Sequence, residues 1–151
     1  SVIALSRQKV PYINPNNSKK NKSENGAYEV KITSHESNIT LIASGTEVEL
    51  ALKVQDKLKE NNIHSKVISM PCMELFDKQS EKYKKDLIEE DSLVVTLEAG
   101  SITSWQKYIK NNGLNLGIDQ FGESAPYKEV YDHFNLTEDK ITNLIQKKLR
   151  E

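Results

Sequence analysis

The chain has 151 residues, 36% of them hydrophobic and 28% charged, which suits one soluble domain with its own core. Its 21 basic and 22 acidic residues leave a net charge of −1, so no single-sign field is present to attract nucleic acid or an anionic membrane. No stretch approaches the roughly 20 apolar residues of a bilayer-spanning helix, and we expect neither a nucleic-acid nor a membrane partner.

The chain opens with a short apolar run at residues 2–5, followed by Ser6, Arg7 and Gln8. The run predicts a buried strand, and Arg7 would follow its carboxyl end, where open α/β sheets place their ligands. A guanidinium there can bind a phosphate or a carboxylate through two parallel hydrogen bonds. The alternative is that Arg7 pairs with a surface acid, and the residues alone favour this simpler interpretation.

Residues 14–25 contain no strong hydrophobe, and their three lysines stand among five asparagines. Such a segment cannot bury enough apolar surface to offset its ordering entropy. It therefore predicts a mobile linker that separates residues 1–13 from residues 26–151.

After the linker, strand patterns alternate with helix patterns. Tyr28–Ile32 alternates polar and apolar residues and predicts an edge strand, whereas the β-branched run Ile39–Ala43 predicts a central one. This alternation favours a mostly parallel sheet covered on both faces. The other predicted elements are strands at residues 66–70, 92–97 and 114–118, and helices at residues 46–61, in pieces over 74–90, at 104–110, at 126–134 and from Thr137 onward.

Apolar residues recur at helical spacing within the predicted helices and mark the faces that should point inward. Thr137 is the predicted cap of the last helix, with Glu138 and Asp139 near its positive end. The predicted inward residues are Val48, Ala51, Leu52, Val54 and Leu58 in the first long helix, Leu75, Phe76, Tyr83 and Leu87 in the helical pieces, Trp105 and Tyr108 after them, and Ile141, Leu144, Ile145 and Leu149 in the last helix.

The carboxyl ends of the parallel strands should meet at one edge of the sheet, at Ser44-Gly45-Thr46, Ser69-Met70-Pro71 and Glu98-Ala99-Gly100. A crevice there, beside the helix that starts after Gly45, can bind a small anion. Ser-Gly-Thr has neither the spacing of a dinucleotide fingerprint nor the lysine of a phosphate-binding loop, so a turn and helix cap is the favoured interpretation. Glu98 ends an apolar strand and should be partly buried with a raised pKa, as a general acid or base or, more simply, as a hydrogen-bond partner of a neighbouring loop.

The single cysteine and the turn before residue 127 also bear on function. Cys72 is the only cysteine, which excludes an internal disulfide and favours a reducing, cytoplasmic compartment. With three separated histidines it forms no metal-ligand spacing, and we interpret it as a packing residue. The turn from Phe121 to Pro126 leads into a helix that carries Tyr127 and Tyr131, which suit either an interface with another domain or subunit or the domain core.

The ordered set of segments resembles the C-terminal part of transketolases, and the resemblance covers nearly the whole chain. It implies an α/β fold of three layers (α/β/α), with a mostly parallel five-stranded sheet and one antiparallel edge strand. The matching segments are Ala4-Leu5-Ser6-Arg7-Gln8, Gly26-Ala27-Tyr28, residues 41–48, residues 67–72, Phe76-Asp77-Lys78-Gln79, Tyr83, Glu98-Ala99, Trp105, Tyr108, Gly117-Ile118-Asp119, residues 121–126 and Phe134.

The resemblance also implies an activity. Transketolases transfer a two-carbon ketol unit between sugar phosphates of the xylulose 5-phosphate and ribose 5-phosphate class, in the pentose phosphate pathway. They use thiamine diphosphate and a divalent metal, magnesium or calcium, and are homodimers. In this family the Ser-Arg-Gln segment closes the pyrimidine-binding domain and its arginine contacts the substrate phosphate, a role that passes to Arg7 alone.

For this chain the resemblance implies a division into the terminal strand of the pyrimidine-binding domain (1–13), a linker (14–25) and the transketolase C-terminal domain (26–151). No catalytic residue, cofactor ligand or metal ligand of the family falls within it, so we expect the chain alone to be inactive and to serve dimer assembly. The alternative is a non-catalytic module of a related thiamine-diphosphate enzyme that binds a small anion or a partner. The enzymes that make deoxyxylulose phosphate and the pyruvate-dehydrogenase-like E1 subunits share the fold but lack the Ser-Gly-Thr-Glu-Val and Phe-Gly-Glu-Ser-Ala-Pro combination.

Overall fold

The computed structural model of the chain describes residues 6, 8–13, 21–34, 37–109 and 112–151. The predicted opening strand, the first part of the predicted linker and Arg7 lie outside the described residues. No helix in the described part of the chain combines the length and the apolarity needed to cross a bilayer.

A five-stranded mixed sheet forms the centre of the fold, in the spatial order β1-β3-β2-β4-β5. β2 is parallel to both β3 and β4, β4 is parallel to β5, and β1 is antiparallel to β3. The predicted parallel sheet with one antiparallel edge strand is therefore confirmed, and β2 is its central strand as the β-branched run indicated. The strands are β1 (Tyr28–Ile32), β2 (Ile39–Ala43), β3 (Lys66–Ser69), β4 (Leu93–Leu97) and β5 (Leu114–Leu116).

The helices follow the predicted order with two differences. The helix predicted at residues 104–110 is a 3₁₀ helix at Thr103–Tyr108, and the last residues of the predicted linker form a 3₁₀ turn at Lys22–Asn25. The side chain of Asn21 caps that turn by accepting a hydrogen bond from the Ser23 amide. The α-helices are α1 (Glu47–Glu60), α2 (Met73–Asp77), α3 (Glu81–Leu87), α4 (Tyr127–His133) and α5 (Glu138–Lys148).

Two apolar cores cover the two faces of the sheet, because successive side chains of a strand point to opposite faces. In β2, Leu41 and Ala43 join the larger core with α1 and α5, whereas Ile42 joins the smaller core on the other side. The smaller core is built around Phe76 and Trp105, each of which is 2% exposed. Helices or 3₁₀ turns thus lie on both faces, and the predicted three-layer arrangement is confirmed.

Three of the predictions of inward residues are wrong. Leu75 is 40% exposed, Leu144 is 39% exposed and Leu149 is 46% exposed. In α2 only one side faces the sheet, and Phe76 occupies it. In α5 the buried side is set by Ile141 and Ile145, which stand one helical turn apart and pack with α1. The helical spacing of apolar residues in α5 predicted a wider buried face than α1 covers.

Gly26 marks the point where the chain enters the sheet, and its backbone is left-handed, with φ +80°. The Gly26 carbonyl accepts a hydrogen bond from the Cys72 amide at 3.0 Å, which joins the entry to the segment before α2. A Cβ atom here would lie 2.1 Å from the Phe76 nitrogen and 2.4 Å from the Cys72 carbonyl oxygen. Only glycine fits, for both its conformation and its lack of a side chain.

We predict that Gly26→Ala lowers the free energy of unfolding by more than about 3 kcal/mol, because backbone atoms must shift and a positive φ is forced on a residue with a Cβ. Urea unfolding followed by circular dichroism measures the loss. Gly122→Ala is the matched control, since a Cβ at Gly122 meets nothing within 4 Å. Equal midpoints for the two variants would contradict the prediction.

Candidate functional site

The carboxyl ends of β2, β3 and β4 meet at one edge of the sheet, as the sequence predicted. The pairing of Ala43 with Ser69 on one side and with Leu97 on the other places the three following turns together. They line a shallow cleft of about 350 Å³ that is walled by Met70, Cys72 and Trp105 and contains the Ser44 and Glu98 side chains.

Glu98 is half-buried in this cleft, and its Oε2 accepts a hydrogen bond of 3.3 Å from the Ser44 hydroxyl. Burial, together with the nearby negative charge of Glu47, raises the pKa of Glu98, while hydrogen bonds from Ser44 and Trp105 oppose the shift. The expected partial burial and raised pKa of Glu98 are confirmed. The carboxylate bonds a neighbouring loop, which was the simpler of its two interpretations.

At the amino end of α1, where anion binding was the less favoured interpretation beside a turn and helix cap, the first helical residue, Glu47, places a carboxylate. Glu47 is 5% exposed, and its Oε1 accepts from the Thr46 hydroxyl at 2.6 Å and from the Tyr131 hydroxyl. A negative charge at this end is favoured by the helix dipole. An anionic ligand would approach both Glu47 and Glu98, so the geometry disfavours the small-anion alternative at Gly45.

Tyr131 and Tyr127 lie one helical turn apart on α4 but have different surroundings. Burial and the hydrogen bond to Glu47 raise the pKa of Tyr131 to about 12, and the donation of its hydroxyl to Glu47 ties α4 to α1. Tyr127 is 51% exposed, and its ring meets the Tyr131 ring edge-to-face at 6.2 Å between centroids. Tyr131 therefore serves the domain core, whereas Tyr127 remains available at the surface.

Cys72 does not pack in the apolar core, in contrast to its interpretation as a packing residue. It is partly exposed on the wall of the cleft, and its Sγ lies 3.4 Å from Glu74 Oε2. Its backbone amide, rather than its thiol, carries the structural contact, through Gly26. The physical reason is that the extended residue before α2 turns its side chain away from the apolar core, where Phe76 already stands.

A second polar cluster, which the sequence reasoning missed, joins α2 to the Thr103–Tyr108 turn. Asp77 accepts from the Tyr108 hydroxyl at 2.9 Å and pairs with the Lys107 ammonium. The hydrogen bond from Lys107 holds the pKa of Asp77 below its ordinary value, and burial raises the pKa of Tyr108 to about 12. Asp77 and Tyr108 both lie in segments that carry the family resemblance. That shared membership was the one sequence feature that could have indicated their pairing.

The described part of the chain contains no group of three or more His, Cys, Asp or Glu side chains placed to hold a metal ion. Arg7 lies outside it, but the residues that follow, Gln8, Lys9 and Val10, line a groove of about 420 Å³ together with Tyr127 and Tyr131. The segment after Arg7 therefore lies on the α1 and α4 side of the domain.

Comparison with known proteins identifies the class of domain to which this arrangement belongs. A family model described as the transketolase-like TK C-terminal domain matches residues 26–137. The chain belongs to this family, and the resemblance drawn from its motifs is confirmed.

Individual transketolases match almost the whole chain. It is 33% identical over 155 residues to the transketolase of Aquifex aeolicus (strain VF5), covering 98% of this chain and 22% of that protein. It is 35% identical over 144 residues to the chloroplastic transketolase of Solanum tuberosum, covering 93% of this chain and 19% of that protein. A mutant transketolase of Pichia stipitis superposes with a TM-score of 0.84 at 28% identity, covering 95% of this chain and 20% of that chain. The chain thus spans about a fifth of the length of these relatives.

We predict that the half-buried Glu98 makes stability depend on pH. Because its pKa in the folded protein is raised, the folded state binds more protons than the unfolded chain as the pH rises from the ordinary value of 4.5 to the raised value. The free energy of unfolding of Glu98→Gln, measured relative to wild type, should therefore rise through that pH window and then level off. Urea unfolding from about pH 4 to pH 7 measures it.

The matched control for this experiment is Glu123→Gln, since Glu123 is exposed in the loop before α4. The stability difference between wild type and this control should stay flat across the same pH range. An equally flat difference for Glu98→Gln would show that the Glu98 carboxyl is not perturbed.

Proposed function

We propose that this chain is the C-terminal domain of a transketolase, and that the intact protein transfers a two-carbon ketol unit between sugar phosphates. The observation that carries the proposal is the family match over residues 26–137, joined to transketolase relatives that cover 93% to 98% of the chain. Solved relatives support the substrate class, since transketolases of Pichia stipitis are described in complex with fructose, xylulose and sedoheptulose phosphates. We place this reaction in the pentose phosphate pathway.

The proposal assigns thiamine diphosphate, with magnesium or calcium, to the other domains of the intact protein. The described residues do not fit a metal-diphosphate site, because no cluster of metal-ligating side chains occurs among them and the amino end of α1 faces its own carboxylate. We therefore derive no catalytic step through this domain. In this proposal residues 1–13 complete the pyrimidine-binding domain, residues 14–25 link it, and residues 26–151 form the C-terminal domain.

The role that we propose for the domain itself is assembly of a homodimer, with no activity of its own. The half-exposed Tyr127 and the fully exposed Phe121 support this role, because aromatic side chains are enriched at protein interfaces. A single cysteine supports a reducing, cytoplasmic location for the intact protein.

The central test compares the 151-residue chain with the intact polypeptide that contains it. Each is incubated with xylulose 5-phosphate, ribose 5-phosphate, thiamine diphosphate and magnesium, and transfer is followed by formation of the seven-carbon product. We expect turnover by the intact protein and none above background by the chain alone. Turnover by the chain alone would overturn the assignment of chemistry to other domains, and an inactive, folded and cofactor-loaded intact protein would overturn the proposed activity.

We further propose that Arg7 binds the phosphate of the sugar substrate in the intact protein. Support comes from its place in the Ser6-Arg7-Gln8 segment, which the family resemblance includes, and from the planar guanidinium, which suits bidentate contact with phosphate. Lys9 and Val10, which follow Arg7, are exposed at the domain surface, and such a position is compatible with a contact outside this domain.

We predict that Arg7→Ala in the intact protein lowers kcat/KM for phosphorylated substrates by roughly 10- to 150-fold, through a charge-assisted contact of about 1.5–3 kcal/mol. Steady-state kinetics with xylulose 5-phosphate measures the change, which should appear mainly in KM. Lys9→Ala is the matched control, as a neighbouring exposed cation without the proposed role. An unchanged KM for Arg7→Ala, or an equal change for Lys9→Ala, would refute the phosphate contact.

A further inference from the structure

The cleft beside Glu98 lies at the point where the strand order of the sheet reverses. The chain leaves β2 for β3 on one side, and the connection after β3 returns past β2 to β4 on the other side. Open α/β sheets bind their ligands in the crevice that such a reversal opens outside the carboxyl ends of the strands. Because Ala43 pairs with Leu97, the residues that follow them, Ser44 and Glu98, are neighbours in this crevice and are hydrogen-bonded. We call it the switch-point cleft, and its lining is completed by residues 70–74, Gly100, Ser101, Ser104 and Trp105.

The charged side chains of the switch-point cleft are negative. They are Glu74 and Glu98, and no Lys, Arg or His among the described residues lines the cleft. The Lys107 ammonium, which acts on Glu74 from nearby, is already paired with Asp77. The charge of Glu47 adds to the negative potential at Glu98 and helps to raise the pKa of that carboxyl. The cleft therefore attracts a cation and repels an anion.

The Glu98 carboxylate keeps acceptor capacity for a ligand. A carboxylate offers about four lone-pair sites. In the described part of the chain its donors are neutral, namely the Ser44 hydroxyl at 3.3 Å and the Trp105 side chain. Removing a charge from water is costly unless an opposite charge and hydrogen bonds compensate it. An ammonium group supplies both, because it carries a positive charge and three N–H donors.

Apolar side chains beside Glu98 suit a ligand with an organic body. Met70 and Trp105 line the cleft while each is only 2% exposed, and Met73 is partly exposed at its side. The flexible, polarisable thioethers of methionine adapt to ligands of different shape. The volume of about 350 Å³ falls within the range of small-molecule pockets. A hydrated inorganic cation would gain nothing from this apolar lining, whereas an organic cation would contact it.

We propose that the switch-point cleft binds a small organic amine, whose ammonium pairs with the Glu98 carboxylate and whose apolar body lies against Met70 and Met73. The Ser44 hydroxyl, which already donates to Glu98, can accept one of the ammonium hydrogens. This site goes beyond the proposed transferase function and does not depend on it. Phosphorylated sugars are excluded as its ligands, because their negative charge would approach Glu74 and Glu98.

The test is a titration of the 151-residue chain with benzylamine at neutral pH, followed by calorimetry and by amide NMR shifts. Benzyl alcohol and benzoate are probes of similar shape without the positive charge. We expect benzylamine to bind at least about tenfold more tightly than either, through its charge-assisted contact, and to shift the amides of Ser44, Cys72 and Ser101. Absence of benzylamine binding up to about 10 mM, or equal affinities for the three probes, would overturn the proposal.

Glu98→Gln tests the carboxylate directly, because it removes the charge and keeps the shape of the side chain. We expect it to weaken benzylamine binding at least about tenfold, while its urea midpoint at neutral pH is no lower than that of wild type, so the loss reports the charge rather than unfolding. Glu123→Gln is the matched control, because Glu123 is exposed outside the cleft, and it should leave the affinity unchanged. An unchanged affinity for Glu98→Gln would assign the binding to another surface and overturn the proposal.

The same titration of the intact protein decides whether a free amine is the occupant. We expect benzylamine to bind the intact protein and the 151-residue chain with equal affinity. Binding to the chain but not to the intact protein would show that another part of the protein fills the cleft, and the proposal would fail. Neither readout uses transferase activity, so failure of this proposal is distinguishable from failure of the proposed function.

Discussion

The pairing of β2 with a parallel strand on each side is the constraint on which the rest of the domain depends. All five residues of β2 are buried, because both faces of the strand are covered and both of its edges are hydrogen-bonded. A strand in that position must be apolar throughout, and its end must turn sharply at Ser44 to leave the sheet. The same pairing brings the carboxyl ends of β2, β3 and β4 to one edge of the sheet, which places Ser44, Met70 and Glu98 around one cleft.

The chemistry of that edge follows from two carboxylates rather than from an anion site. Glu47 takes the amino end of α1, and Glu98 stands close enough for its pKa to be raised by the charge of Glu47. Buried carboxylates of this kind need donors, and the hydroxyls of Thr46, Tyr131 and Ser44 supply them. The hydrogen bond from Tyr131 to Glu47 joins α4 to α1 and so positions the helix that also carries Tyr127.

The large exposed apolar side chains lie on more than one side of the domain: Tyr127 lines the groove beside the entering segment, whereas Leu149 lines a separate surface. The larger core is closed by α1 and α5, and the smaller core by Phe76, Trp105 and the Asp77–Tyr108 pairing. The groove lined by Val10, Leu50, Tyr127 and Leu136 remains open at the surface.

Hydrophobic periodicity determined the strands, the long helices and the mostly parallel sheet, because period-2 and period-3.6 patterns record which side of an element is buried. The ordered motifs determined the family, and the apolar strand before Glu98 determined its perturbed carboxyl. Only the tertiary structure decided how much of each helix face is covered. It left Leu144 and Leu149 exposed to water, and it buried Tyr131 more than Tyr127. It also decided that the Tyr131 hydroxyl donates to Glu47, because that hydrogen bond joins residues 84 positions apart, and local sequence carries no record of such a contact.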